Sequence, residues 1–591
     1  MTERLAVIRE HLIALYGESQ GQEAFGRLRE LLERPHPPPP APLRSPPGRG
    51  AGANVAGEAG TITHRDAILI AYGDQISEPG VAPLRTLADF CSRHLTGLIS
   101  GIHILPFYPW SSDDGFSVTN YRAVHPGLGT WADIRAMGGF RLMFDAVINH
   151  ISAQSEWFQR FLQDDPAYRD YFIVVEGDPD LSQVVRPRAL PLLTRVTTPS
   201  GEKAVWTTFS ADQIDLNYRN PDVLLEIIAA LLFYAAQGAE FIRLDAVAFL
   251  WKEIGTPCIH LPQTHRLVQL LRAVLDEAAP HVLLITETNV PHEQNISYFG
   301  DGRNEAQLVY NFALPPLVLH AFRTGSAGTL SDWAKTLTLP SDRTTFFNFL
   351  ASHDGIGLNP ARGILSSAEI DALVRQALDG GGLVSYKQDL DGSRSPYELN
   401  LNYFDALSPP RRAEPLDVPV ERFMTAQAIM LALVGVPGIY FHSLFGSRGW
   451  PEGVRQTGQN RTINRQKLER ASLERELGDP GSLRSRIFRR YAQLLRARAQ
   501  AEAFDPHGEQ SVIECGQGVF GVLRRPRGLG TPVLCLHNVS DRPQPVRLHF
   551  SQWLGRTSAG GHMRDLITGQ RFNLRRRGSI ALRPYQSLWL A

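Results

Sequence analysis

Charged side chains interrupt an apolar stretch of this chain in a way that could serve nucleophilic or acid–base chemistry. In "EFIRLDAVAFL" (240–250), Arg243 and Asp245 stand among residues that are typical of a buried strand. Charges are almost never fully buried unless they are paired or held by hydrogen bonds. The stretch is therefore either a structural ion pair or the end of a strand that presents a carboxylate to a substrate.

Polar residues end four further apolar runs in the same way: Asp114, Asn149 with His150, Glu287, and His353 with Asp354. In a parallel barrel the carboxyl ends of the strands meet at one mouth, where the active site lies. Two carboxyl groups that flank a scissile bond are what glycosyl transfer requires. We therefore expect one catalytic cluster. The alternative, a metal site built from the same Asp and His residues, lacks a closed ligand spacing.

The surroundings of the three acids predict their roles. Arg243 lies two residues before Asp245, on the same face of the strand, and would keep it ionised as a nucleophile. Glu287 ends the hydrophobic run "LLIT", where desolvation would raise its pKa and suit it to general acid/base catalysis. Asp354 would hold sugar hydroxyls and stabilise an oxocarbenium-like transition state.

The elements that must position these residues follow from eight apolar runs: 67–74, 101–109, 141–150, 240–247, 281–289, 306–314, 344–354 and 436–446. Most are continuous rather than alternating, as in parallel strands that are covered on both faces. Helical segments such as 223–238 and 264–280 lie between them. The predicted fold class is α/β, a (β/α)₈ TIM barrel with two inserted subdomains and a C-terminal antiparallel β domain.

Long connections and changes in composition predict the domain boundaries. They are a helical extension (1–34), a Pro/Gly-rich linker (35–61), barrel segments (62–147, 221–354 and 418–504), subdomain B (148–220), subdomain B′ (355–417) and the β domain (505–591).

Composition narrows the class of protein. The 591 residues include 60 Lys+Arg and 60 Asp+Glu, and this balance argues against a nucleic-acid-binding protein. The four cysteines are scattered, so neither a disulfide framework nor a zinc site is expected. No run of 18 apolar residues predicts a membrane span, and the N-terminus lacks the apolar core of a signal peptide. We therefore expect a cytoplasmic protein.

Four motifs resemble the conserved regions of the α-amylase superfamily: "DAVINH" (145–150), "FIRLDAV" (241–247), "ITETNV" (285–290) and "FLASHDGIGL" (349–358). Others are similar to the sucrose phosphorylase branch: "HILPFYPWSSDDGFS", "RPRALPLL", "NFALPPLVLHA", "YELNLNYFDAL", "PGIYFHSL" and "NRTINRQ". The motifs occur in the same order as in the family, over roughly residues 62–590.

The resemblance implies the same three catalytic roles for Asp245, Glu287 and Asp354. It also implies a set of residues that grip the glucosyl group: Asp114, His150, Arg243, His353, Arg461, Gln213 and, as an apolar platform, Phe116. Neither calcium nor another metal or cofactor is implied. A monomer or homodimer acting on small molecules, an α-glucoside and inorganic phosphate, is expected, without nucleic-acid or membrane partners.

In this branch phosphate attacks in place of water, and Arg188 with Tyr397 corresponds to its phosphate contacts. Where sucrose phosphorylases carry an Asp that holds fructose, "GSRSPYELN" (392–400) has Arg394 and Ser395. An extra arginine favours an anionic acceptor, and the N-terminal extension, "FHSLFGSRGW" and "TGQNRTINRQK" resemble the glucosylglycerate phosphorylase subgroup.

The expected reaction is therefore phosphorolysis of 2-O-α-D-glucosyl-D-glycerate by double displacement. Arg394 is expected near the glycerate carboxylate, and Arg448 is a second candidate for this contact. Three alternatives stay open. They are a phosphorylase of sucrose, sucrose 6′-phosphate or glucosylglycerol, an α-glucosidase, and a carbohydrate-binding barrel without catalysis.

Overall fold

The computed structural model describes residues 2–34, 60–548, 562–573 and 578–591. Eight parallel strands form a closed barrel: β1 (Ile68–Ala71), β2 (Gly101–Ile104), β3 (Arg141–Ala146), β4 (Ala239–Leu244), β5 (Leu283–Thr286), β6 (Leu308–Tyr310), β7 (Thr345–Asn348) and β8 (Val436–Tyr440). Each strand pairs with its neighbours along the chain, and β8 closes on β1 with Gly438 opposite Ile68. The predicted fold class is confirmed.

Each barrel strand is shorter than the apolar run that predicted it. In the fourth run, β4 ends at Leu244, and Asp245 is the first residue beyond the strand. In the fifth, β5 ends at Thr286 and Glu287 follows. The last residues of these runs leave the parallel ladder at its carboxyl end, so the barrel itself holds their side chains at the mouth.

Helices surround the barrel or follow its strands: Pro83–His94, Trp131–Arg135, Pro221–Ala236, Pro262–Ala278, His292–Ile296, Leu314–Thr324, Gly328–Lys335, Asp417–Ala432, Phe441–Leu444, Pro451–Thr457, Arg470–Gly478 and Leu483–Ala499. The helix that leads into β4 shows why they begin where they do. Asn220 caps it by accepting a hydrogen bond from the Asp222 N–H at 2.9 Å, and Pro221 occupies its first turn.

The segment after β3 forms two small sheets. Strands His150–Ser152 and Gln213–Asp215 pair antiparallel against the barrel mouth. Beyond them, strands Val174–Val175, Leu193–Thr198 and Gly201–Trp206 form a three-stranded sheet, and helix Glu156–Leu162 lies in the same segment. The first ribbon brings His150 and Gln213 toward one another from the two ends of this insertion.

The segment after β7 carries an antiparallel sheet of strands Ile356–Gly357, Leu383–Gln388 and Arg394–Asn400. Helix Ser367–Asp379 packs beside it, and helix Tyr403–Leu407 follows. Ser366 and Glu369 form a reciprocal capping box at the start of the first helix. A backbone bridge between Arg186 and Gln388 joins this sheet to the first insertion, so the two insertions meet beside the barrel mouth.

The C-terminal region is antiparallel, as predicted. Its main sheet has the order Glu509–Val512, Val519–Arg525, Val533–Asn538 and Ser587–Leu590. Two shorter ribbons pair Gln544–Leu548 with Gly578–Leu582 and His562–Arg564 with Arg571–Asn573. The predicted domain boundaries remain predictions.

The N-terminal helix Glu3–Glu33 bends sharply at Gly17, whose φ of +78° favours glycine. It packs on the two helices that lead into β4 and β5, and the Tyr16 hydroxyl donates to the Tyr218 carbonyl at 3.0 Å. Arg27 forms an ion pair with Asp222. The predicted amphipathic helix is therefore two helical arms on the outside of the barrel. The predicted linker lies, for residues 35–59, outside the described residues.

Candidate active site

Two predicted catalytic acids meet on one guanidinium at the carboxyl ends of β4 and β5. Arg243 Nη1 donates to Asp245 Oδ1 at 2.9 Å, and Arg243 Nη2 lies 3.8 Å from Glu287 Oε2. Ala246 adopts a left-handed conformation (φ +49°), and its N–H donates to the same Glu287 oxygen at 3.0 Å. A non-glycine residue in this region stores strain that a surrounding structure must impose, a pattern common at active sites.

Burial sets the protonation of this pair. It raises the pKa of Glu287 to about 7, and Asp245 and Asp354 nearby act in the same direction. Burial also raises the pKa of Asp245, against the pull of Arg243. Near neutral pH the two acids therefore share a proton. Because Arg243 hydrogen-bonds Asp245 and stands farther from Glu287, we assign the proton to Glu287 and the charge to Asp245.

Asp354, the third predicted acid, is held by arginines from the segment after β8. Arg461 Nη1 lies 2.6 Å from Asp354 Oδ1 and Arg465 Nη2 lies 3.9 Å from the same oxygen. The Asn464 side chain donates to the Asp354 carbonyl at 2.9 Å. Burial alone would raise the pKa of Asp354, but Arg461, His353 and Arg465 lower it well below its usual range. This carboxylate is fixed and ionised.

An apolar and aromatic wall lies beside the acids. The rings of Phe116 and His353 are stacked, with centroids 4.6 Å apart and planes 3° from parallel. The Phe116 carbonyl accepts hydrogen bonds from His150 Nε2 at 2.8 Å and from Gln213 Nε2 at 3.1 Å. The structure thus brings together four predicted sugar-binding residues from three loops, with their rings and amides buried at the barrel mouth.

Asp114 lies on the same side and is paired with a residue that was not predicted. Arg465 Nη1 donates to Asp114 Oδ2 at 2.8 Å, and Arg465 Nε donates to the His353 carbonyl at 2.8 Å. Burial would raise the pKa of Asp114, but the Arg465 charge lowers it. Asp114 has a left-handed φ of +47°, which Asp tolerates better than most residues.

The predicted acceptor residues are less tightly held. Arg188 Nη1 lies 3.9 Å from Glu398 Oε1, and its guanidinium lies 5.4 Å from the centre of the Tyr397 ring. Arg394 begins its strand exposed to solvent. Arg448 is committed elsewhere, since it donates to Asp405 Oδ1 at 2.6 Å and to the Ser408 carbonyl at 3.2 Å.

Four residues with evident roles were missed by the sequence reasoning. Asp145 pairs with Arg243 and accepts from His103 at 2.7 Å, so it anchors the guanidinium from below. Arg465 joins Asp114 to the loop of Asp354. Glu398 accepts two hydrogen bonds from Arg461. Three of the four lie in quoted motifs: Asp145 in "DAVINH", Glu398 in "YELN" and Arg465 in "NRTINRQ". A charged residue inside each of these motifs was the signal in the sequence that could have identified them.

The fourth is Asp212, which ties the loop of Asp114 to the first insertion. Its carboxylate accepts hydrogen bonds from the Ser111 hydroxyl at 2.5 Å, the Ser117 hydroxyl at 2.8 Å and the Ser152 hydroxyl at 3.4 Å. Ser112 donates to it as well. Nothing in the sequence spacing links Asp212 to these serines, because the contacts cross from one loop to another.

Across the described ranges, no group of three or more His, Cys, Asp or Glu side chains is arranged to hold a metal ion. No helix within those same ranges has the length and apolar character needed to span a bilayer.

Known proteins resemble this chain over nearly its whole length. Residues 95–356 match the protein family described as "Alpha amylase, catalytic domain". A glucosylglycerate phosphorylase from Allomeiothermus silvanus is 52% identical over 585 residues, covering 99% of this chain and 98% of that protein. Another from Spirochaeta thermophila is 51% identical over 589 residues, with the same coverage.

A solved structure shares the architecture. The crystal structure of sucrose 6F-phosphate phosphorylase from Thermoanaerobacter thermosaccharolyticum superimposes with a TM-score of 0.70 at 26% identity, covering 82% of this chain and 96% of that chain. Together with the barrel and its three acids, these likenesses bear out the predicted resemblance. The chain belongs to the glucosylglycerate phosphorylase family, within the sucrose phosphorylase branch of the α-amylase superfamily.

Proposed function

We propose that this chain is a retaining glycoside phosphorylase, a hexosyltransferase that moves an α-glucosyl group from 2-O-α-D-glucosyl-D-glycerate to inorganic phosphate. The products are α-D-glucose 1-phosphate and glycerate. The observation that carries the proposal is the pair of acids on Arg243, Asp245 at 2.9 Å and Glu287 at 3.8 Å, at the barrel mouth. The names of the relatives at 51–52% identity support glycerate as the acceptor.

In the first displacement, an Asp245 carboxylate oxygen attacks the anomeric carbon of the bound glucosyl group. The glycosidic C1–O bond breaks as the new C1–O bond to Asp245 forms. Glu287 gives its proton to the departing O2 of glycerate, so the leaving group is a neutral hydroxyl. Asp354, held ionised by Arg461, stabilises positive charge that develops on the sugar ring.

In the second displacement, a phosphate oxygen attacks the same carbon from the side that glycerate has left. Glu287, now a carboxylate, accepts the proton of hydrogen phosphate, and the bond to Asp245 breaks. Two inversions give overall retention at the anomeric carbon. Arg188 supplies the charge-assisted hydrogen bonds that hold phosphate, and Tyr397 lies beside it.

We assign the remaining contacts to the glucosyl group. Phe116 and His353 form the platform beside the ring, and Asp114 with Arg465 meets the hydroxyls on the far side. His150 and Gln213 hold the Phe116 carbonyl, so they support this wall of the sugar site. Arg461 acts through Asp354.

The test is a comparison of acceptors. The protein is incubated with α-D-glucose 1-phosphate and D-glycerate, L-glycerate, glycerol, fructose or fructose 6-phosphate, and phosphate release is followed. Release should be fastest with D-glycerate. Release only with fructose, its phosphate or glycerol would overturn the substrate. Free glucose as the sole sugar product would indicate an α-glucosidase, and no turnover would indicate a binding barrel.

Further features are part of this proposal. The partners are small molecules, an α-glucoside and phosphate, and the chain acts as a monomer or homodimer in the cytoplasm. The proposed division into barrel, subdomains B (148–220) and B′ (355–417) and β domain (505–591) assigns the acceptor residues to the two insertions. Size-exclusion chromatography with light scattering and limited proteolysis test the oligomeric state and the boundaries.

A further inference from the structure

One carboxylate on the acceptor side has no role in the two displacements. Glu398 lies on strand Arg394–Asn400 of the second insertion and is 1% exposed. Its oxygens accept from Arg461 Nη2 at 2.5 Å and from Arg461 Nε at 3.1 Å. This two-point contact, together with burial, fixes the position of the Glu398 carboxylate.

Arg188 is the second cation beside Glu398, and it is much less constrained. Its Nη1 lies 3.9 Å from Glu398 Oε1, which is too long for a hydrogen bond. Its side chain is 24% exposed. Within the part of the chain that the structure describes, the Arg188 guanidinium donates no hydrogen bond. Its planar set of N–H groups is therefore available to a carboxylate or phosphate that enters the mouth.

We propose that Glu398 is the resident counter-ion of the acceptor pocket. It attracts Arg188 while the pocket is empty, and phosphate and the glycerate carboxylate take Arg188 from it in turn. Both anions then use one arginine, each in its own half of the reaction. The identity of the two anions rests on the proposed function, whereas the counter-ion role rests on the Arg461–Glu398–Arg188 geometry.

Electrostatics explains why a fixed carboxylate beside Arg188 is useful. Two other acids, Asp245 and Glu287, lie in the same mouth, and a loosely held arginine without a local partner would be drawn to them and block the acceptor position. A fixed carboxylate near Arg188 also weakens the attraction of Arg188 for any entering anion. A site that two different anions must occupy and leave in each turnover requires such moderate binding.

Direct binding of inorganic phosphate to the full chain tests the counter-ion role without turnover. Isothermal titration calorimetry compares the wild type with Glu398→Gln, which keeps the shape and removes the charge. We expect Glu398→Gln to bind phosphate more tightly, by about three- to tenfold, because Arg188 loses its competing anion. In an Arg188→Gln background, the same substitution should give a clearly smaller gain, because only the direct repulsion between Glu398 and phosphate is then removed.

A matched control comes from an arginine–glutamate pair outside the site. Arg490 donates to both Glu421 oxygens at 2.7 Å, and Glu421→Gln removes a charge from the same kind of contact. Phosphate affinity should not change. Unchanged or weaker phosphate binding by Glu398→Gln, or an equal gain in the Arg188→Gln background, would overturn the counter-ion role.

A second measurement keeps the inference testable if Glu398→Gln does not fold. Arg188→Gln alone, at a partly exposed position, should raise the KM for both phosphate and glycerate by about tenfold. A rise in the KM for phosphate alone would show that the two anions do not share Arg188. Failure of glycerate to release phosphate in the wild type would instead contradict the proposed reaction and leave the phosphate titration valid.

Discussion

The glucosyl side and the acceptor side of this site differ in how firmly their charged groups are held. On the glucosyl side, Arg243 is 2% exposed and contacts Asp145, Asp245 and Glu287. On the acceptor side, Arg394 is exposed and has no side-chain partner within the described ranges. The barrel, the loop after β2, the first ribbon of the first insertion and the turn after β8 build the first side, and the remaining parts of the two insertions build the second.

The difference follows from what each side must do. The glucosyl group is the same in both displacements, so fixed dipoles and charges can be prepared for one transition state. The acceptor changes within each turnover from glycerate to phosphate. Groups that lie on insertions and keep unused donors can adapt to both, whereas groups locked in ion pairs could not. Substitutions on the two sides should therefore differ in size and in kind.

Loss of the nucleophile should have the largest effect. Asp245→Ala removes the atom that forms the covalent bond, and we expect transfer to fall by about 10⁴-fold or more. Circular dichroism and thermal unfolding should show an intact fold, because Asp245 lies beyond the end of β4 and Asp145 still pairs with Arg243 when the Asp245 carboxylate is removed. Retention of even a tenth of wild-type activity in the phosphate-release assay would exclude the assignment.

Loss of the proton donor should come next. Glu287→Gln should slow transfer from glucosylglycerate by about 10²–10⁴-fold, and much less with α-glucosyl fluoride, whose leaving group needs no proton. In the wild type, the first step should decline above pH about 7, because Glu287, whose pKa burial raises to about 7, then loses its proton. A pH profile of Glu287→Gln that keeps this decline would assign it to another group.

Breaking a buried ion pair beneath the glucosyl side should lower the unfolding free energy of the protein. Lys252 Nζ contacts Asp215 Oδ2 at 2.5 Å and Asn149 Oδ1 at 2.8 Å, and it is almost fully buried. Lys252→Met leaves Asp215 uncompensated under the ribbon that carries His150, and we expect a loss of about 3–5 kcal/mol in unfolding free energy. Arg195→Met, in an exposed pair with Glu202, is the control and should cost about 1 kcal/mol or less. Equal denaturation midpoints for Lys252→Met and the control variant would contradict the expected difference in stability.

The smallest effect is expected at the most exposed acceptor residue. Arg394→Ala should raise the KM for glycerate by about tenfold, the cost of one charge-assisted hydrogen bond. Glycerol, which has no carboxylate, should be unaffected as an acceptor. Steady-state kinetics with both acceptors measures the ratio. Equal changes for the two would show that Arg394 does not contact the carboxylate.

Much of the fold could be predicted because barrel strands that are buried on both faces leave continuous apolar runs. The eight runs gave the eight strands, and the polar residues that ended them gave Asp245, Glu287 and Asp354. The partners of these acids could not be predicted from spacing. Arg465 contacts Asp114 and the loop of Asp354, and these contacts exist only once distant segments are folded together. The bend at Gly17 was missed because the helical periodicity continues on both sides of it.

The turn Asn460–Asn464, which follows the last barrel strand, has a consequence for biosynthesis. Arg461 and Asn464 secure Asp354, and Arg465, the next residue, reaches both Asp114 and the backbone of His353. A chain still emerging from the ribosome lacks these ties until this late stretch has been made. The sugar site can therefore take its final form only after the last barrel strand and this turn have been synthesised.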